Sequence, residues 1–208
     1  MMIRRAFLGL LALATFAAPL PAIAQGTPAP IQPIAALNAG LLQIMNAGKA
    51  TPFAQRMAIL TPIVEQGFDL GLLLRNSVGP SRWAAISDAQ KAELLDIFTQ
   101  FTVASYVANF DSFSGEKFVI APETRQSGKD TVVQTRILGT GGDATKLDYV
   151  MREHDGTWHV VDVLLDGSIS RVAVTRSDFR ALLASADASP LITSLRGKVA
   201  NLAAGTAS

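Results

Sequence analysis

Thr131-Val132-Val133-Gln134-Thr135-Arg136-Ile137-Leu138, then Gly139-Thr140-Gly141-Gly142, then Lys146-Leu147-Asp148-Tyr149-Val150-Met151-Arg152, places two runs of strand-forming residues around a glycine-rich turn. In the second run Leu147, Tyr149 and Met151 share a face opposite Lys146, Asp148 and Arg152; in the first, Val133, Thr135 and Ile137 oppose Gln134 and Arg136. One face of this hairpin is therefore apolar and has to be covered. Lys117 to Ala121 precedes the pair, and Trp158 to Leu165 follows it after the turn residues Asp155-Gly156. Four strands joined by connections this short predict an antiparallel meander.

Helical patterns flank the strands on both sides. Ile34 to Ala47 puts Leu37, Leu41, Ile44 and Met45 on one face, and Thr51-Pro52 marks a capped start for a second helix through about Glu65. Phe68 to Asn76 predicts a short apolar helix or turn closed by Gly79-Pro80. Ser87 with Gln90 three residues on has the form of a capping box, and the helix it opens carries Leu94, Phe98, Phe101 and Ser105 down to about Phe110. Ile169 to Leu183 and Pro190 to Leu202 return to helical spacing. Helices, then a meander, then helices predict one α+β domain over residues 34–202, in which helices pack on one face of a curved antiparallel sheet of four or slightly more strands.

The ends of the chain have a different character. Arg4 and Arg5 precede an apolar run from Ala6 to Ala18, followed by Pro19, Pro21 and Ala22-Ile23-Ala24 before Gln25. This is the order of a secretory signal peptide over residues 1–24, with the Arg4-Arg5 pair also matching the core of a twin-arginine signal. The run is only 13 residues, short for a membrane span. Residues 25–33, with Pro28, Pro30 and Pro33, are expected as an extended lead-in, and residues 203–208 as a flexible tail. An exported protein, free in the periplasm of a Gram-negative cell and monomeric, is the expectation.

Composition narrows the function. Without Arg4 and Arg5 the chain has 16 basic against 17 acidic residues, which disfavours nucleic acid as a main partner. Charged residues make up 17% of the chain, against about 25% in a typical soluble domain, while 49% is hydrophobic. There is no cysteine, which removes disulfides, thiol catalysis and thiolate metal sites.

Few residues carry chemistry. His154 and His159 are the only histidines; one adjoins the Asp155-Gly156 turn and the other lies in a strand, and neither has the spacing of a metal site. Ser168 with Asp162 lacks the strained elbow of a serine nucleophile. Gly139-Thr140-Gly141-Gly142 lacks the Lys-Ser/Thr end of a nucleotide loop and joins two strands, so it is expected as a hairpin turn. Asp162 and Asp166 take a turn role, and Arg136 and Asp148 stand at positions from which they could pair across strands. No catalytic residue, metal or cofactor is expected.

What remains is apolar surface. Phe98, Phe101, Tyr106, Phe110 and Phe113 lie on the helical side, and Val133, Ile137, Tyr149 and Trp158 on the sheet. They describe either a filled core or a cavity between the layers suited to an apolar ligand. Periodicity does not separate the two.

The segment Phe118 to Ile137, the Leu147-Asp148-Tyr149 strand, and Gly156-Thr157-Trp158-His159-Val160-Val161-Asp162-Val163 running on to Asp166-Gly167-Ser168-Ile169-Ser170, Phe179 and Leu182-Leu183 resemble the MlaC family. These are periplasmic phospholipid-binding proteins, also called the toluene-tolerance auxiliary family. Phe68-Asp69, Trp83 and the helix from Ser87 to Tyr106 stand where the family has corresponding elements, so the resemblance spans about residues 34–200. Tyr106 to Ser112 and Asp166 to Val174 are most similar to the hopanoid-associated HpnM subgroup, although the usual Glu-Gly-Val-Ser turn is replaced by Asp166-Gly167-Ser168-Ile169-Ser170.

The resemblance implies a nuclear-transport-factor-like or MlaC-like layer fold with a lipid cavity between sheet and helices. It implies lipid contacts at Phe98, Phe101, Tyr106, Phe110, Val133, Ile137, Leu147, Tyr149, Trp158 and Val160. It also implies a cargo of phospholipid or hopanoid-type lipid, and transient docking to an outer-membrane lipoprotein and an inner-membrane transporter. The rival expectations are a small periplasmic enzyme using the same cavity, which would direct His, Asp or Glu inward, and a module that binds only protein, which would have a filled core.

Overall fold

The computed structural model describes residues 29–183 and 186–206. The expected signal peptide at residues 1–24, the first part of the lead-in and the last two residues of the tail lie outside them. Ala29–Ile31 form a 3₁₀ turn that runs directly into α1 (Gln32–Ala47), so the end of the predicted lead-in is helical. Pro33 causes no conflict there, because the first turn of a helix has no use for its missing N–H.

The helical layer continues with α2 (Phe53–Gly67), α3 (Leu70–Val78), the short α4 (Pro80–Ala85) and α5 (Asp88–Asn109). The side chain of Ser87 caps α5 by accepting from the Gln90 N–H at 3.3 Å, and Asp69 caps α3 by accepting from Leu72 at 2.8 Å. Thr51 does not cap α2; its hydroxyl donates back to the Ala47 carbonyl at 3.1 Å, and Pro52 stands at the cap position instead. α4 replaces what the Gly79-Pro80 pair suggested was only a stop. Gly79 breaks the chain with φ of 88°, and Pro80 then starts a new helix.

The meander is present with the predicted connectivity and is longer than expected. β1 (Lys117–Ser127), β2 (Asp130–Leu138), β3 (Ala144–His154) and β4 (Thr157–Leu165) pair antiparallel in sequence order, and β5 (Ile169–Ser170) adds a two-residue edge. The first strand was expected to end at Ala121, but β1 continues through Pro122. The proline is accommodated because β1 is an edge strand whose register shifts between Ile120 and Thr124, freeing it from the ladder. A second shift between Val150 and Met151 on the β3/β4 pair bends the centre of the sheet. Gly139–Gly142 is a hairpin turn, as expected, closed by the Gly139 N–H to the Asp143 carbonyl at 2.8 Å.

α6 (Arg171–Phe179), a 3₁₀ turn at Ala181–Leu183 and α7 (Ser189–Ala204) complete the layer. α5 runs through its middle, packing against α2 and α7, while α3 lies against α5, α6 and β4. The core contains Leu37, Leu60, Leu74, Leu94, Val133 and Tyr149, all almost fully buried. The Asp69 N–H donates to the Val160 carbonyl at 3.0 Å and joins the helical layer to the sheet, while the buried Arg56 side chain ties α2 to α5 within the helical layer by donating to the Val107 carbonyl at 3.3 Å. No helix among the described residues is long and apolar enough to cross a membrane.

Candidate ligand cavity

Between α5, α3, α6 and one end of the sheet lies a cavity of about 350 Å³. α5 supplies most of its wall: Phe98, Phe101, Thr102, Ser105, Tyr106 and Asn109, with Phe110 just beyond its end. Spacings of three and four residues put these on one helical face. Leu147, Val163 and Leu165 form the sheet side. Leu147 pairs with Leu165 and Tyr149 with Val163, so the cavity lies toward the rungs where β3 begins and β4 ends. Phe68, Leu73 and Ser77 close one flank, and Arg171, Val172 and Thr175 from α6 close another.

The aromatic rings form a connected line. Phe68 meets Tyr106 edge-on at 5.9 Å, Tyr106 stacks on Phe110 at 6.2 Å, and Phe110 lies 5.9 Å from Phe118. The hydroxyls in the wall offer few donors to a ligand. Ser77, Thr102 and Ser105 each donate to the carbonyl one turn back, at 2.8, 2.8 and 2.7 Å. The lining is thus mainly apolar, with Asn109, Thr175 and the Tyr106 phenol as its other polar groups. Its single charged member is Arg171.

The two tyrosines of the chain lie together beside the cavity. Burial, helped by the adjacent Tyr149 phenol, holds the Tyr106 pKa well above its ordinary value, and the positive charge of Arg171 opposes this. Burial pushes Tyr149 up to about 12, with its hydrogen bonding to Tyr106 acting in the other direction. Both phenols are neutral at physiological pH.

Of the ten residues expected to touch a ligand, five line the cavity: Phe98, Phe101, Tyr106, Phe110 and Leu147. Val133, Tyr149 and Val160 share the inward face but lie in the packed core, where the helical layer covers the middle of the sheet. Ile137 is half-buried on the far side of the Thr135↔Leu147 rung and does not reach the wall. Trp158 borders a different depression, of about 330 Å³, between α1, the end of α2 and the β3/β4 hairpin. Phe113 is 44% exposed on the loop after α5. Val163 and Leu165 were missed although they lie in a recognised strand, and Val172 and Thr175 because α6 was only an approximate segment.

The histidines and carboxylates take structural or surface places. His154 is exposed beside the Asp155-Gly156 turn, and no group of residues among those described could hold a metal ion. Asp162 secures α6. Its Oδ1 accepts from Val163 and Val172 N–H at 2.8 and 3.1 Å, and its Oδ2 from the Ser170 hydroxyl. The suggested Arg136–Asp148 pair does not form, because the register sets Gln134 opposite Asp148 and Arg136 opposite Lys146. Lys146 is the partner of Asp148 instead, at 3.5 Å.

The MlaC protein family model matches residues 36–197. The chain belongs to the MlaC family. A solved structure of this architecture is a phospholipid-binding protein from Ralstonia solanacearum, in complex with a phospholipid. The two share 16% identity with a TM-score of 0.70, over 84% of this chain and 98% of that one. At that identity the likeness establishes the MlaC-type fold. No curated protein matches the chain. In MlaC terms, the cavity lies between the sheet and helices, the place the family resemblance led one to expect.

Proposed function

We propose that this MlaC-family chain is a periplasmic lipid carrier that holds the acyl chains of a phospholipid in the cavity below α5. One observation carries the reading: a wall of aromatic and aliphatic side chains in which Ser77, Thr102 and Ser105 are hydrogen-bonded to their own helices and Arg171 is the one charge. The phospholipid complex of the Ralstonia solanacearum protein of the same fold supports it. An enzyme would need titratable groups converging on the cavity, and the lining has neither histidine nor carboxylate.

Energetics define the transport problem. Each methylene taken from water gains about 0.8 kcal/mol, so a two-chain lipid gains a gross ~20 kcal/mol, and unassisted release into water is negligible. Unloading then requires docking onto membrane partners that offer an equally apolar path. We infer an outer-membrane lipoprotein and an inner-membrane transporter in those roles, after export and removal of residues 1–24. The similarity to the hopanoid-associated subgroup favours a hopanoid-type lipid as a second cargo.

Cargo is tested by offering the delipidated protein an equimolar mixture of phosphatidylethanolamine, phosphatidylglycerol and a hopanoid in vesicles, re-isolating it, and identifying the extracted lipid by mass spectrometry. Phospholipid at about one molecule per protein is expected. Uptake of neither class contradicts the carrier reading.

A further inference from the structure

We propose that Arg171 is an anchor for the phosphodiester of the bound lipid, making the cavity selective for lipids with an anionic phosphate over neutral lipids with the same chains. This rests on the carrier reading and specifies it.

Arg171 is the one charged residue in the cavity lining and is itself exposed, which places it where the apolar wall meets solvent. Like Arg75, Arg125, Arg136 and Arg180 it has no side-chain hydrogen bond or ion pair among the described residues, but it alone of these lines the cavity. The guanidinium groups of Arg56, Arg82 and Arg176 donate to the backbone carbonyls of Val107, Leu183 and Asn76, and those of Arg152 and Arg196 pair with Asp130 and Glu93. Arg171 takes part in none of the hydrogen bonds or ion pairs found among the described residues.

Its position is also unfavourable without a partner. Arg171 is the first residue of α6, where the helix dipole disfavours a cation. Asp162 sits at the same helix end, but both its oxygens are taken by Val163, Val172 and Ser170. Tyr106 gives a further sign that the charge projects over the cavity, since Arg171 lowers its pKa against the raising effect of burial.

A guanidinium offers paired N–H donors that match two phosphate oxygens, and such charge-assisted contacts are the strong ones. Asn109 and Thr175 line the cavity with it and add neutral polar groups. A hopanoid or a diacylglycerol has no anion for this site.

The test is a competition. Delipidated protein is mixed with vesicles containing equal amounts of phosphatidylglycerol and diacylglycerol of identical chains, and the captured lipid is quantified by mass spectrometry. Wild type is expected to favour phosphatidylglycerol by roughly tenfold or more. Arg171→Gln should bring the ratio close to one while total lipid remains near one per protein, and Arg171→Lys should fall between. Arg196→Gln, altering a surface pair away from the cavity wall, should behave as wild type.

Equal uptake of both lipids by wild type, or unchanged selectivity in Arg171→Gln, overturns the anchor and leaves the carrier reading standing. Uptake of neither lipid by wild type overturns the carrier reading itself. Excess inorganic phosphate distinguishes the source of the anion. It should not displace phosphatidylglycerol; if it binds wild type but not Arg171→Gln and abolishes the selectivity, the site serves a free anion and the headgroup assignment fails.

Discussion

The ring of Phe68 meets the ring of Tyr106 edge-on, with centroids 5.9 Å apart and planes inclined at 67°. Phe68 is fixed to the sheet by its bridge to Val160, and Tyr106 belongs to the central helix, so this contact joins the two layers at the cavity wall. The core of the molecule and the lining of its cavity share this aromatic line.

Tyr106 and Tyr149 are the only tyrosines, so phenolate absorbance reports on this junction alone. In the folded protein little phenolate should form until close to pH 12, given the raised Tyr149 value, whereas the unfolded chain titrates at about 10. Between those values the unfolded state releases protons that the folded state retains, so stability falls as pH rises. Tyr149 alone should cost about 2–3 kcal/mol across the window, and its effect should be absent below about pH 10. A spectrophotometric titration combined with urea unfolding checks this. Phenolate appearing at the ordinary value in folded protein would contradict the burial of the pair.

A carboxylate placed in the wall should exclude acyl chains. Phe101→Glu and Leu147→Glu each alter a half-buried position facing the cavity, and lipid per protein should fall at least tenfold with the fold retained by circular dichroism. The same change at Val133 should unfold the protein instead, because that side chain is fully buried among the layers.

That contrast marks how far the sequence could be read. Alternation in residues 131–152 identified the inward face correctly, and the spacing of Phe98, Phe101, Tyr106 and Phe110 identified the helix that covers it. Alternation says which face is inward, not how closely each rung is covered. Val133, Tyr149 and Val160 therefore looked equivalent to Leu147, yet helices seal the middle of the sheet and leave the cavity at the Leu147↔Leu165 end. The first strand was expected over Lys117 to Ala121 only, and the edge position and local register shift explain why β1 continues through Pro122. Arg171 carried no signal, since one arginine at a helix start means little until its neighbours are known.

The Asp148 carboxylate is 1% exposed, with Lys146 3.5 Å from its Oδ2 and no hydrogen-bond partner for its Oδ1 among the described residues. Lys146→Met should destabilise the protein by about 1–3 kcal/mol by leaving that charge without a cation. Lys146→Met combined with Asp148→Leu should recover much of the loss, because the remaining surface is then apolar. Urea midpoints of the single and double variants test this; additive losses would contradict it. Gly167 lies over the same pair with φ of 74°, and a Cβ there would collide with the lysine Nζ. Gly167→Ala should cost about 1–2 kcal/mol from backbone strain alone.

Asp162→Ala removes the acceptor for two backbone N–H groups and the Ser170 hydroxyl at the start of α6. A loss of about 1–2 kcal/mol is expected, together with weaker lipid retention because Val172 and Thr175 lose their fixed position in the wall. Asp162→Asn keeps one acceptor oxygen and should lose less. Equal retention in Asp162→Ala and wild type would show that α6 holds its place without this tether to β4.

The most direct measurement of the carrier account is the lipid content of the mature protein purified from bacterial periplasm without detergent, by solvent extraction and mass spectrometry. The account predicts phospholipid at close to one molecule per protein, lost in Phe101→Glu. Protein that emerges empty, and stays empty after incubation with phospholipid vesicles, would contradict it.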